Sequence, residues 1–458
     1  MRACLLLLLG LSAGAQPVDP CEPLLTSALA VPYPALRGDL LLKTLPLCNP
    51  LSRALRQDTL DQVLQIAPQA PDPYPRDPVP VGFTDTEPAL SAIATTLGLD
   101  QLSLQTRALT ELVDIAPAKA RDWFDAIHPP QPVPLTCDDY QVARLVNYYS
   151  MLRVLSDKAF SGEEIAKGVR DKFISSHLLP VNAPVQLLGA VRFLSEAKLD
   201  AKSLELFLAI LGAQVESIEA DDRAFSVALL TEQVENRLKT LQDRCRSTGV
   251  DPSAFLATVR RYYARHLAKP RCADVVRIEP LHDREKSALE QLDGPGTDLA
   301  TIRPSKLIES KPPRDLVVDT PQYAAWVMEL NGRLKADAGS TALAVFDRVA
   351  TQIEDWKKPD EQSEPGFFQI KALVLYRLMQ FASTGEEKVR AAQANASLFA
   401  GAGEMKRLNP AAWLQLLQSF LRYSRSAGEA REQISQMLEN NRDITLSAYA
   451  RLDRALNK

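Results

Sequence analysis

Apolar residues recur along most of this chain at intervals of three and four. Val142, Leu145, Val146, Tyr149, Leu152 and Leu155 form one such series, and Phe255, Val259, Tyr262 and His266 form another. That is the spacing of helices burying one face. No stretch keeps a strict alternation of apolar and polar residues, so no substantial sheet is expected. Helix-start signals recur too, with Pro behind a capping residue at Thr86-Glu87-Pro88, Asn182-Ala183-Pro184, Asp251-Pro252, Thr320-Pro321 and Asn409-Pro410. Gly98, Gly249 and Gly385 read as helix stops. The fold class that follows is all-α.

Links of a few residues between consecutive helices predict antiparallel hairpins. Residues 184–197 with 201–218, 102–115 with 118–127, and 222–247 with 252–267 form three of them. A short internal echo, Val63-Leu64-Gln65-Ile66-Ala67-Pro68 against Leu112-Val113-Asp114-Ile115-Ala116-Pro117, is read either as a trace of a repeated unit or as a helix stop used twice. In architecture the chain resembles the α-solenoids of the tetratricopeptide and HEAT type, over residues 50–267 and 320–456. The resemblance implies stacked hairpins in two helical halves and a groove that presents itself to peptides or proteins. The signature Trp, Gly, Tyr and Pro pattern of a tetratricopeptide unit is absent, so no functional residue carries over.

Three proline-rich stretches interrupt the helices. They lie at residues 71–80, 128–134 and 268–319, and the longest is read as an irregular linker or long loop between domains. The expected organisation is a signal peptide at 1–15, a partly irregular N-terminal segment at 16–49, a helical-hairpin domain at 50–267, the linker, and a C-terminal helical domain at 320–458. The signal peptide rests on Arg2, the apolar run from Leu5 to Leu11, and the small residues Ala13-Gly14-Ala15 before Gln16. The apolar run is too short to span a bilayer. Cleavage near Ala15 would place the mature chain in the periplasm or outside the cell, with no transmembrane segment.

Export changes the reading of the cysteines. Loss of Cys4 would leave Cys21, Cys48, Cys137, Cys245 and Cys272, enough for two disulfides and one unpaired thiol in an oxidising compartment. Geometry ranks a Cys245–Cys272 bond low, because the intervening helix carries the chain about 24 Å away at 1.5 Å per residue. Cys21–Cys48 ranks above it, as does Cys137 with either Cys272 or Cys245. Cys245 continues the apolar stripe of Val234, Leu238 and Leu241 and reads equally well as a buried small hydrophobe.

Composition narrows the function classes. Only 19 glycines in 458 residues disfavour a backbone-lined phosphate cradle, and a net charge of −4 without a basic stripe disfavours nucleic acid. The four histidines, His128, His177, His266 and His282, are scattered, and no metal, cofactor or catalytic motif is recognised. Cys137-Asp138-Asp139, Glu163-Glu164 and Asp221-Asp222 are read as helix caps. Asn395-Ala396-Ser397 fits a glycosylation sequon. The adjacent aromatics Tyr148-Tyr149, Tyr262-Tyr263 and Phe367-Phe368 point about 100° apart on a helix, so one ring of each pair could enter the core while the other meets a partner. Tyr148, Arg144, Tyr263 and Arg260 are the candidate recognition residues, since Tyr and Arg are enriched in binding hot spots. The expected function is a non-enzymatic exported protein that binds a peptide or protein or scaffolds a complex. A carbohydrate-active enzyme on an all-helical toroid and a purely structural envelope protein remain alternatives.

Overall fold

The computed structural model describes residues 21–48, 52–70, 76–78, 97–127, 131–137, 141–143, 145–224, 231–273, 298–309, 320, 322–333, 340–360, 362 and 364–457. The leader at 1–15, the Thr86-Glu87-Pro88 helix start, Arg144, His128 and His282 lie outside them. The fold is all-α. Its helices are α1 (Cys21–Leu29), α2 (Pro34–Thr44), α3 (Arg53–Ile66), α4 (Gln101–Leu112), α5 (Pro117–Asp125), α6 (Val146–Lys158), α7 (Gly162–Ala166), α8 (Val169–Leu178), α9 (Pro184–Glu196) and α10 (Ala201–Ser217). There follow α11 (Thr231–Thr248), α12 (Ser253–His266), α13 (Tyr323–Arg333), α14 (Ser340–Asp355), α15 (Glu364–Phe381), α16 (Gly385–Gly401), α17 (Gly403–Leu408), α18 (Pro410–Arg425), α19 (Arg431–Glu439) and α20 (Ile444–Leu456). Two short strand pairs accompany them among the described residues: β1 (Arg76–Pro78) antiparallel to β2 (Gln141–Ala143), and β3 (Arg271–Cys272) parallel to β4 (Leu307–Ile308).

Local chemistry sets many helix ends. Asp100, Asp200, Asn409 and Asp443 accept hydrogen bonds from the backbone N–H three residues on, at 2.8–3.0 Å, satisfying donors that a helix start leaves open. Pro184 and Pro410 occupy the first helical position as expected. Gly249 ends α11 in the left-handed region at φ 74°, where a Cβ would be strained. Gly385 does the opposite of what was expected. It opens α16, because Thr384 and Glu387 form a reciprocal capping box around it.

Packing follows alternate helices. α9 packs on α6 and α11, while α10 packs on α8 and α12. In the second half α14 lies between α13 and α16, and α16 also packs on α15. Gly189 makes the approach of α9 to α6 possible, since a Cβ there would stand 2.4 Å from the Tyr149 ring. Two disulfides brace the first half. Cys21–Cys48 closes the α1–α2 hairpin, and Cys137–Cys272 ties the segment before β2 to β3. Cys245 is the free, buried thiol, which burial pushes above its ordinary pKa. Beside the second disulfide, the buried Arg223 donates to the carbonyls of Thr136 (3.1 Å) and Cys137 (2.5 Å). Asp221 adjoins the turn at residues 222–224 and accepts from the N–H of Leu135 and Arg223.

The two ends of the described chain meet. α20 packs against α1 and α2, and one continuous apolar core runs through both halves. At the contact, fully buried Asp39 accepts from Lys43 (2.7 Å), Arg107 (2.9 Å) and the Tyr449 hydroxyl (2.9 Å). Burial opposes ionisation of Asp39, but the two cations win and hold its carboxyl below the usual range. A second buried charge, Lys406, is ion-paired to Asp443 and sits over the rings of Trp413 (5.2 Å) and Tyr33 (5.8 Å).

Candidate functional site

The expected recognition tyrosines belong to the core. Tyr148 is wholly buried on α6, its hydroxyl 2.6 Å from His177 Nδ1 and its ring 4.9 Å from Phe124. Its neighbour Tyr149 is buried as well, in the space that Gly189 leaves. Tyr262 and Tyr263 on α12 are likewise buried, edge to face at 5.9 Å, while Arg260 on the same helix is half-exposed. One ring of each pair was expected to reach a partner. It does not: in both tyrosine pairs both rings are buried. His177 is held neutral: burial among Phe124 and Phe173 pulls its pKa down to about 4, against a raising influence from Asp125. His266 is also buried and its pKa is lowered by burial and neighbouring cations. Asn395 of the sequon is buried inside α16 and donates to the Ala391 carbonyl at 2.9 Å, which leaves no exposed amide for a glycan.

Phe367 and Phe368 behave as the pair rule expects. Both lie on α15, where Glu364, Phe367, Phe368 and Lys371 follow the i, i+3, i+4, i+7 spacing of one helix face. On α16, Ala394, Ser397, Leu398 and Gly401 repeat that spacing. The two stripes, closed by the turn of Gly401, Ala402 and Gly403 and by the first residues of α17, line a cleft of about 360 Å³. Its deep side is apolar: Phe368 and Met405 are buried, Phe367 and Leu398 half-buried. The outer side is polar, with Glu364, Ser397 and Glu404 exposed.

Two features keep the cleft in shape. Lys371 donates to the carbonyls of Glu354 (2.6 Å) and Trp356 (2.9 Å), at the C-terminal end of α14, and lies 5.6 Å from the Phe367 ring centre. Burial lowers its pKa, while Glu354 and Asp355 act to raise it. Glu354 is itself bound by Arg390 at 2.5 Å. Beneath the cleft an aromatic series runs from Phe368 to Phe399 (5.7 Å), Trp413 (5.9 Å) and Tyr449 (6.0 Å), ending on the buried Asp39. The floor therefore rests on the contact between the two chain ends.

The described residues contain no group of three or more His, Cys, Asp or Glu side chains placed to hold a metal, and no helix long and apolar enough to cross a membrane. The sequence carried one signal for the cleft, the doubled i, i+3, i+4, i+7 stripes of α15 and α16. The Phe367-Phe368 adjacency marks the first stripe alone; the second has no aromatic pair to mark it. Neither a family model nor a curated protein nor a solved structure matches the chain.

Proposed function

We propose that this chain is an exported, non-enzymatic binding or scaffold protein whose helices stack as an irregular α-solenoid and whose ligand is a peptide or protein. The observation that carries the reading is the cleft between α15, α16 and α17. Its volume of about 360 Å³ lies within the range of ligand sites, roughly 300–1,000 Å³. Its apolar floor and polar rim match the usual make-up of such sites. The alternate-helix packing of α6, α9 and α11, and of α8, α10 and α12, supports stacked hairpins, since equivalent helices of successive hairpins touch in that architecture. Two disulfides support a route through an oxidising compartment.

Binding is tested by selecting displayed random octapeptides on the full-length chain and rescreening the winners on Ser397→Trp, which places a large ring in the cleft from an exposed position. Peptides that lose binding to the variant support the reading. Winners indifferent to it, or no winners, overturn it. Export is tested by fractionating cells and running the protein on a non-reducing gel; a cytoplasmic, fully reduced chain overturns that part.

A further inference from the structure

We infer that the cleft recognises an extended peptide segment in which a Lys or Arg side chain flanks an apolar one. The inference rests on the cleft being a binding site at all and adds the chemistry of its occupant. Each lining stripe spans eight residues of helix, seven rises or about 10 Å of wall at 1.5 Å per residue. That length accommodates about three residues of extended chain at roughly 3.3 Å each. The floor of Phe367, Phe368, Leu398 and Met405 asks for an apolar side chain, and the rim decides the charge beside it.

Three carboxylates, Glu354, Glu364 and Glu404, line the cleft against one ammonium, Lys371. That ammonium is committed to the two carbonyls at the C-terminal end of α14. Glu354 is taken by Arg390, which also holds Asp347. Glu364 and Glu404 are exposed, and among the described residues neither makes an ion pair or a side-chain hydrogen bond. Their charge is therefore available to an incoming group, and a field of one sign at the edge of an apolar cleft favours ligands of the other. An anionic peptide would meet two carboxylates, and among the described lining residues the cation, Lys371, is already committed.

The octapeptides whose binding depends on Ser397 are then sequenced and measured on Glu364→Gln/Glu404→Gln. Both positions are exposed, so thermal melting of the double variant should match the parent. The expected result is enrichment of Lys or Arg beside an apolar residue, with binding to the double variant weakened about tenfold and to the parent weakened by added salt. Cleft-dependent peptides of neutral or acidic composition, or equal binding to the double variant, overturn the charge assignment while leaving the cleft a binding site. Failure to find any peptide whose binding depends on Ser397 overturns both.

Discussion

Two aromatic pairs on helices, Tyr148-Tyr149 of α6 and Phe367-Phe368 of α15, look alike in sequence and end differently in space. Around α6 both rings are enclosed. Gly189 of α9 makes room for Tyr149, and Phe124 with His177 covers Tyr148. Around α15 only one ring is enclosed, because the neighbouring turn consists of Gly401, Ala402 and Gly403. A Cβ at Gly401 would meet nothing within 4 Å. A glycine opposite an aromatic ring has opposite consequences in the two places: with a helix behind it, it lets backbone approach ring, whereas at a turn it leaves a void. Whether an aromatic pair makes core or site is therefore decided by the element across from it.

The largest expected effect that tests this contrast comes from truncating the rings. Tyr148→Ala should cost about 3–5 kcal/mol, the range for a large buried aromatic. Phe367→Ala, half-exposed beside an open cleft, should cost less than about 1 kcal/mol. Urea denaturation at neutral pH measures both, and equal losses would erase the distinction between filled and open regions.

A pH experiment sharpens the enclosed side. His177 titrates near 4 when folded against about 6.5 when unfolded. The unfolded chain therefore binds more protons in that window, and the histidine's contribution is lost as pH falls through it, about 3 kcal/mol in full. Asp100, buried at the start of α4, moves the other way: burial raises its pKa to about 6, so the folded chain binds more protons between about 4 and 6 and gains stability on acidification. The two nearly offset over pH 4–6. His177→Gln should unmask a stability that rises as pH drops from 6 to 4, and Asp100→Asn the reverse. If the parent and both variants show the same slope in chemical denaturation across these pH values, the buried neutral histidine is refuted.

The smallest effects are expected from the glycines. Gly189→Ala forces its Cβ into the Tyr149 ring and should destabilise by about 1–3 kcal/mol, as overpacking does. Gly401→Ala, at an exposed helix end, should stay within about 0.5 kcal/mol of the parent. Thermal melting of the pair distinguishes them, and a Gly189→Ala chain as stable as the parent would show that α6 and α9 can part without loss.

Legibility in the sequence followed locality. The helical class, the helix start at Asn409, the acidic first turn at Glu163-Glu164 and the Cys21–Cys48 bridge all depend on residues near one another in the chain. The burial of Tyr148 is not local: it depends on Phe124 and on His177, 29 residues away, and that of its neighbour Tyr149 on Gly189. Gly385 opens a helix because Thr384 and Glu387 form a capping box around it, whereas a glycine between two helices taken alone fits a stop as well as a start. The cleft was half visible: its stripes are local patterns, but their facing one another depends on how α15 meets α16. Nothing local announces that Tyr449 reaches Asp39.

That last contact sets a timetable. Asp39 and Tyr449 are 410 residues apart, so at synthesis rates of about 5–20 residues per second the helix bearing Asp39 waits roughly 20–80 s for its partner. During the wait the faces of α1 and α2 destined for α20 stay uncovered, and a buried-to-be carboxylate remains in water. The Cys21–Cys48 bond needs only its own hairpin and can close as soon as that hairpin reaches an oxidising compartment. It would hold those helices in register while the rest of the chain arrives, which makes the N-terminal hairpin a template on which the C-terminal helix docks last.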